Sequence, residues 1–316
     1  MTHALLIFWL ISTILIIREY RVARILIYLV IFSLVASLCY LMLGSPDVAM
    51  AEAATSAFTV LFFIVCFEKY FSFSDDIMGA GETETTRRKF FSVESLIPFG
   101  ITACIFALFL KFRPYAYGNT YLRDRYLESF VRDVGGENPV TAIYLGYRVY
   151  DTLFEALVVV ICVVAAIHLS AFGENTKAPE RRSEMEGSAM AAFAIQIICA
   201  LMLLFGIYLV LNGHITPGGG FQGGLAISSF FICRYMIYNV NDLPIKKLSR
   251  MEELVFIAIA LFAISIVFLG AAENLPDQFR PVFQVAYMLV MNILIALKVA
   301  CGFIILFYRY IVMEQL

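Results

Sequence analysis

The sequence predicts an all-α integral membrane protein of about nine transmembrane helices. Three observations carry that expectation. Of 316 residues, 61% are apolar and 15% charged, with a mean hydropathy of +0.85. An ordinary soluble domain carries roughly 25% charge, and so little charge cannot cover a water-facing surface. Nine apolar runs approach the ~20 residues that take a helix across the hydrocarbon core. No stretch alternates with the period of two that the strands of a membrane barrel require.

The runs fall at about 3–17, 25–43, 48–67, 95–112, 150–169, 189–211, 218–239, 253–272 and 283–309. The first is short and needs tilt or local thinning of the bilayer. It has no basic stretch and no small-residue cleavage site before Arg18, so it reads as a span rather than a cleaved signal. The third opens at Ser45-Pro46-Asp47, a helix-start pattern. Polar loops over Phe71–Arg88 and Glu174–Glu186 separate three blocks. These are a three-helix unit (1–70), a two-helix unit (92–170) with a charged, Tyr-rich outer loop (113–150), and a four-helix unit (188–316). Fifteen Lys and Arg lie on the inner side and seven on the outer if the N-terminus is outside and the C-terminus inside, which is the orientation the positive-inside rule favours.

Composition excludes several function classes. A net charge of −2 and a pI near 6.0 leave no basic face for nucleic acid. The seven cysteines stand alone in apolar runs, which suits packing better than metal or redox chemistry. Three scattered histidines cannot supply paired haem ligands. No nucleophile, metal cluster or cofactor fingerprint appears, so the chain is expected to hold no cofactor and to catalyse nothing by itself.

Ionisable residues inside spans cost about 2.5–3.5 kcal/mol each on insertion scales, so each asks for a reason. Asp47 is read either as a first-turn acid complementing its own helix dipole or as a member of an ion path. Glu52 lies roughly 7 Å deeper, among the small residues Ala51, Ala53 and Ala54, and favours the ion path. Arg148, Asp151 and Glu155 share one helix face. Arg148 and Asp151 suit an interfacial ion pair, whereas Glu155, one turn deeper, needs a partner or water. Lys298 lies roughly 16 Å inward of Arg309, too deep to snorkel, so a carboxylate partner such as Glu52 or Glu155, or a protonatable role, is expected. Asn292 reads as interhelical hydrogen-bond glue.

The densest local signal is Asn212-Gly-His214-Ile-Thr-Pro217-Gly218-Gly219-Gly220-Phe221-Gln-Gly223-Gly224. Its glycines permit close backbone approach, and 219/223 and 220/224 repeat the spacing of packed membrane helices. A phosphate loop is disfavoured, since no Lys-Ser/Thr ending follows and no strand precedes it. A tight re-entrant turn is expected, with His214 at its mouth as either a proton-exchanging group or an ordinary satisfied histidine.

These motifs resemble one family. Ser45-Pro46-Asp47-Val-Ala-Met-Ala-Glu52-Ala resembles the signature of the D subunit of membrane-bound hydrogenases, shared with the C-terminal region of the large A subunit of Mrp sodium/proton antiporters. Ala51 stands where a Thr commonly precedes the Glu. Tyr147-Arg148-Val-Tyr-Asp151-Thr-Leu-Phe-Glu155 is similar to the small E subunit. The segment Gly213–Gly224, with Asn292-Ile-Leu-Ile-Ala-Leu-Lys298, resembles the four-helix antiporter B subunit and the hydrogenase F subunit. Order and helix counts match a fusion of the three, covering most of the chain.

The resemblance implies a subunit of a large cell-membrane assembly that exchanges Na⁺ for H⁺ or couples redox chemistry to ion pumping. Implied partners are other Mrp-like or hydrogenase-like membrane subunits, including an antiporter-like large subunit, and the lipid bilayer. Where the host is an oxidoreductase, its catalytic centres would lie on other subunits. The implied ion-path residues are Asp47, Glu52, Asp151, Glu155, His214 and Lys298, with Pro217 and Phe221 shaping the turn. The mechanism expected has Glu52 and Glu155 lining one hydrated path, Na⁺ near both, Lys298 tuning their proton affinity, and His214 gating the outer mouth. A structural adaptor and a stand-alone secondary transporter are the competing readings, although inverted repeats of broken helices are not apparent in the sequence.

Overall fold

The computed structural model describes residues 2–19, 21–70, 120–169, 189–238, 244–267 and 278–312, with isolated positions between 100 and 111 and at 276. Every element among them is helical: α1 (Thr2–Arg18), α2 (Val22–Met42), α3 (Pro46–Tyr70), α4 (Tyr121–Asp133), α5 (Pro139–Ala142), a π-helical turn (Ile143–Tyr147), α6 (Val149–Leu169), α7 (Ala189–Asn212), α8 (Gly220–Tyr238), α9 (Ile245–Val267) and α10 (Arg280–Val312). Among the described residues, five helices are long and apolar enough to cross a membrane: Val22–Met42, Pro46–Cys66, Val149–His168, Ala192–Asn212 and Arg280–Tyr310. Much of the expected span at 95–112, and both polar loops, lie outside the described residues.

The centre of the fold is α10. Its 33 residues reach about 50 Å, well beyond a hydrocarbon core of ~30 Å. Helices α6, α7, α8 and α9 all pack on it, burying Met288, Met291, Ile305 and Phe307 completely. Helix α3 lies against α8 and carries α2 on its other side, and α1 packs on α2. Aromatic side chains join α3 to α10. Phe58 meets Phe303 edge-on at 4.8 Å, and Phe62 meets Phe307 at 6.0 Å, in the edge-to-face arrangement that ring quadrupoles favour. The α2–α3 turn is closed by Gly44 at φ +74°, a left-handed conformation with no Cβ penalty in glycine.

Two expectations are corrected here. The segment 113–150, expected as a charged outer loop, is helical over Tyr121–Asp133 and again over Pro139–Tyr147. Its charges sit on a surface helix, and Asn138 starts α5 by accepting the Val140 N–H at 2.9 Å, with Pro139 in the first position. The eighth run, expected from 253, belongs to a helix that begins at Ile245. The basic cluster Lys246, Lys247 and Arg250 is therefore its first two turns rather than a loop.

Candidate functional site

The glycine-rich turn between α7 and α8 lies against the N-terminal ends of α3 and α5. The Asp47 carboxylate, in the first turn of α3, accepts from the Asn138 side-chain amide at 3.0 Å and from the Gly218 N–H at 3.2 Å. The same Asn138 amide donates to the carbonyls of Gly213 (3.2 Å) and Thr216 (3.1 Å). The buried Thr141 hydroxyl donates to Gly213 at 2.6 Å. Residues from three expected units thus share one polar cluster.

The turn packs as its spacing predicts. A Cβ on Gly223 would meet Val210 and the Gly206 carbonyl on α7, whereas Cβ atoms on Gly220 and Gly224 would lie 2.6 and 2.7 Å from the Asn292 and Ala296 carbonyls on α10. One glycine face thus lets α7 approach and the other lets α10 approach. Phe221 is half-buried and turns its ring edge to Phe303, and Pro217 sits half-buried in the turn. The carbonyl of His214 accepts from the Glu137 and Asn138 N–H groups at 2.8 and 3.1 Å. Its ring Nδ1 is buried and, among the described residues, has no hydrogen-bond partner.

A polar seam continues inward from this cluster. The Thr141 hydroxyl lies 3.5 Å from the Tyr144 hydroxyl, which donates to Asn292 Oδ1 at 3.0 Å. The Gly220 N–H, opening α8, donates to the same oxygen at 3.1 Å. Asn292 is the interhelical link its sequence position suggested, fully buried on α10.

Glu52 lies in the α2–α3 contact. Its carboxylate accepts from the Ser33 hydroxyl at 2.9 Å and from the Ser56 hydroxyl at 3.3 Å, and the two hydroxyls touch each other. Carboxylate and hydroxyl oxygens from two helices form a donor set suited to a hard cation or to a proton. Among the described residues, no group of three or more His, Cys, Asp or Glu could hold a metal ion.

The remaining acids stand apart. Asp151 is exposed and ion-paired with Arg148, as the interfacial reading anticipated. Glu155 sits on the exposed face of α6. Lys298 is joined to neither Glu52 nor Glu155. Its Nζ donates to Glu252 Oε1 on α9 at 2.6 Å, with the two side chains 0% and 1% exposed. The partner is a carboxylate, as expected, but neither acid named for it, because the eighth span, placed from 253, left Glu252 out. With α9 beginning at Ile245, Glu252 lies two turns inside and faces α10. Pro244, just before the helix, was the signal that could have placed its start. Asn138, Thr141 and Tyr144 were also missed, since only tertiary contacts distinguish them from ordinary loop and helix polar residues.

Two family models match separate stretches of the chain. A family described as "Domain related to MnhB subunit of Na+/H+ antiporter" matches residues 190–305, and the family of the D subunit of MBH matches 7–70. An uncharacterized protein of Methanocaldococcus jannaschii is 33% identical over 151 residues, covering 42% of this chain and 57% of that protein. A Staphylococcus epidermidis protein named as antiporter subunit mnhB2 is 38% identical over 81 residues, covering 24% of this chain and 57% of that one. The chain therefore spans little more than half the length of these relatives. A chain of the Mrp complex from Dietzia sp. DQ12-45-1b superposes with a TM-score of 0.70 at 16% identity, over 99% of this chain and 35% of that one. A chain of the membrane-bound sulfane sulfur reductase, an archaeal respiratory membrane complex, superposes with a TM-score of 0.55 at 23% identity, over 69% and 97%. The chain is a multi-pass membrane protein that joins an MbhD-like stretch to an MnhB-related one, in the manner of an Mrp and membrane-bound-hydrogenase type fusion.

Proposed function

We propose that this fused chain is an ion-translocating subunit of a multisubunit cation/proton antiporter, or of a redox-driven complex with an Mrp-like module, and helps to form its Na⁺ or H⁺ path. The observation that carries the proposal is Glu52, a carboxylate within a membrane-crossing helix whose described neighbours are two hydroxyl oxygens and no cation. Glu52 is half-buried, and Na⁺ and H⁺ compete for the same carboxylate oxygens, so the arrival of one displaces the other. Asp47 and His214 lie at the turn that would form the outer mouth. Asp151 and Glu155 lie on the face of α6 that a neighbouring subunit would cover.

In this reading the chain crosses the cell membrane about nine times, N-terminus out and C-terminus in, as 3 + 2 + 4 helices. It holds no cofactor, and an antiporter-like large subunit is its neighbour. Replacing Glu52 with Gln in the assembled complex is the test. Abolished Na⁺ efflux with intact assembly is expected, and unchanged efflux removes Glu52 from the path. The same substitution at Glu155 decides that residue separately.

A second reading, the structural adaptor, is favoured by the Asp47–Asn138–Gly218 cluster, which ties three units together through one carboxylate. Charge-neutral substitutions that abolish transport while leaving assembly intact exclude it.

A further inference from the structure

We infer that Glu252 and Lys298 form a proton-exchange site, separate from Glu52, that admits H⁺ and excludes Na⁺. The inference rests on the transport reading above and adds to it a residue and a division of labour.

The pair is sealed. Glu252 and Lys298 are 1% and 0% exposed, and Nζ and Oε1 stand 2.6 Å apart. The ammonium lies 6.0 Å from the centroid of the Phe256 ring. The other titratable groups close to it are the thiols of Cys301 on α10 and Cys162 on α6. Beside the pair, Val159, Val163 and Ile305 form an apolar cluster between α6 and α10.

The hydrogen-bond inventory argues against a purely structural pair. An ammonium carries three N–H donors. One meets Glu252, and the described residues offer the other two no acceptor. A buried ion pair with so few supporting bonds does not recover its desolvation cost, and a well-packed apolar pair would hold α9 to α10 as well or better. Ionisable groups kept inside a membrane protein under those terms are candidates for proton handling.

The chemistry selects the ion. A Na⁺ ion needs several oxygen ligands, and the described surroundings supply one carboxylate beside a fixed positive charge. A proton needs a single lone pair. On uptake it bonds to a Glu252 oxygen, leaving the Lys298 ammonium charged. On release Nζ gives up a proton and takes the carboxyl proton from Glu252 in its place, which restores the ionised carboxylate and the charged ammonium. The Glu52 site has the opposite character, with carboxylate and hydroxyl oxygens and no cation. The approach to Glu252 is short, since seven residues, roughly 10 Å of helix, separate it from the start of α9, where Lys246, Lys247 and Arg250 are exposed. That basic end also repels Na⁺.

The test uses the intact complex, purified through a tag on this chain and reconstituted in proteoliposomes, with a Na⁺ gradient imposed and internal pH followed by dye. The double substitution E252Q/K298M removes both charges together and leaves no lone buried charge. We expect it to assemble and to lower Na⁺-driven proton movement by roughly a hundredfold, the low end for loss of a proton-transferring group. Proton movement within about twofold of wild type overturns the inference, whereas a wild-type complex that moves neither ion overturns the transport reading instead. If the double variant does not assemble, E252D decides. A protonated-carboxyl band in pH-difference infrared spectra that shifts between wild type and E252D supports the site, and identical spectra overturn it.

Discussion

Asp47 and Gly218 are 171 residues apart in sequence, and the carboxylate of one accepts the backbone N–H of the other at 3.2 Å. Asp47 is in the first turn of α3, and Gly218 lies two residues before α8 begins. The carboxylate therefore stands between two helix N-termini, where partial positive charge and unpaired N–H groups accumulate.

That position separates acceptor from charge. D47N keeps the oxygen that Gly218 and Asn138 use, whereas D47A leaves two polar groups without it. D47A is expected to lower thermal stability of the assembled chain by about 2–3 kcal/mol, and D47N by less than about 1 kcal/mol. If D47N assembles normally yet loses Na⁺ efflux, the charge belongs to the ion path. If it transports normally, Asp47 is a joint.

Gly220 and Gly224 face α10 at distances that leave no room for a methyl group. Either Gly→Ala substitution must push α8 away from backbone carbonyls, which cannot turn aside. A loss of about 1–3 kcal/mol is expected, measured as a lower midpoint for thermal aggregation in detergent. Gly44→Ala meets nothing within 4 Å and should cost only the left-handed backbone penalty, about 1 kcal/mol.

Ser33 donates to Glu52 from a different helix. Its replacement by Ala removes one hydrogen bond to a carboxylate, worth about 1.5–3 kcal/mol. Where Glu52 is the Na⁺ site, the half-saturating Na⁺ concentration for efflux should rise about tenfold. An unchanged value places Na⁺ elsewhere.

Tyr147, in the segment before α6, donates to Asp133 at 3.0 Å and stacks on Tyr126. Burial, then the Asp133 carboxylate, pushes its phenol up to about 12. The neutral form is the one favoured by folding, so its contribution holds below pH ~10, the unfolded value, and is lost as pH rises toward 12. Ultraviolet titration of wild type against Y147F should show one phenolate missing at the alkaline end. A difference spectrum that titrates at pH ~10 would contradict the Asp133 contact.

Much of this architecture was legible in the chain. Apolar run length identified most helices, because in a membrane every backbone amide must bond within its own helix. The glycine spacing identified the α7–α8 turn and the two faces it presents, because only glycine allows backbones that close. The Asp151–Arg148 pair was legible because both partners share one helix face three residues apart. The start of α9 was not, because Lys246, Lys247 and Arg250 look like a loop to any rule that counts charge. The helix at Tyr121–Asp133 was hidden for the same reason.

By itself, the sequence determined the class of this protein, its helices and the acids and amine that each helix carries inward. Those follow from local composition, since solvent transfer and backbone satisfaction act residue by residue. Which of those groups meet was decided only by tertiary structure. Lys298 faces Glu252 rather than Glu52 or Glu155, and Asp47 answers to Asn138 and Gly218, because partner choice depends on how helices rotate and cross. That rotation is set by close packing over the whole of α10, not by any one residue along it.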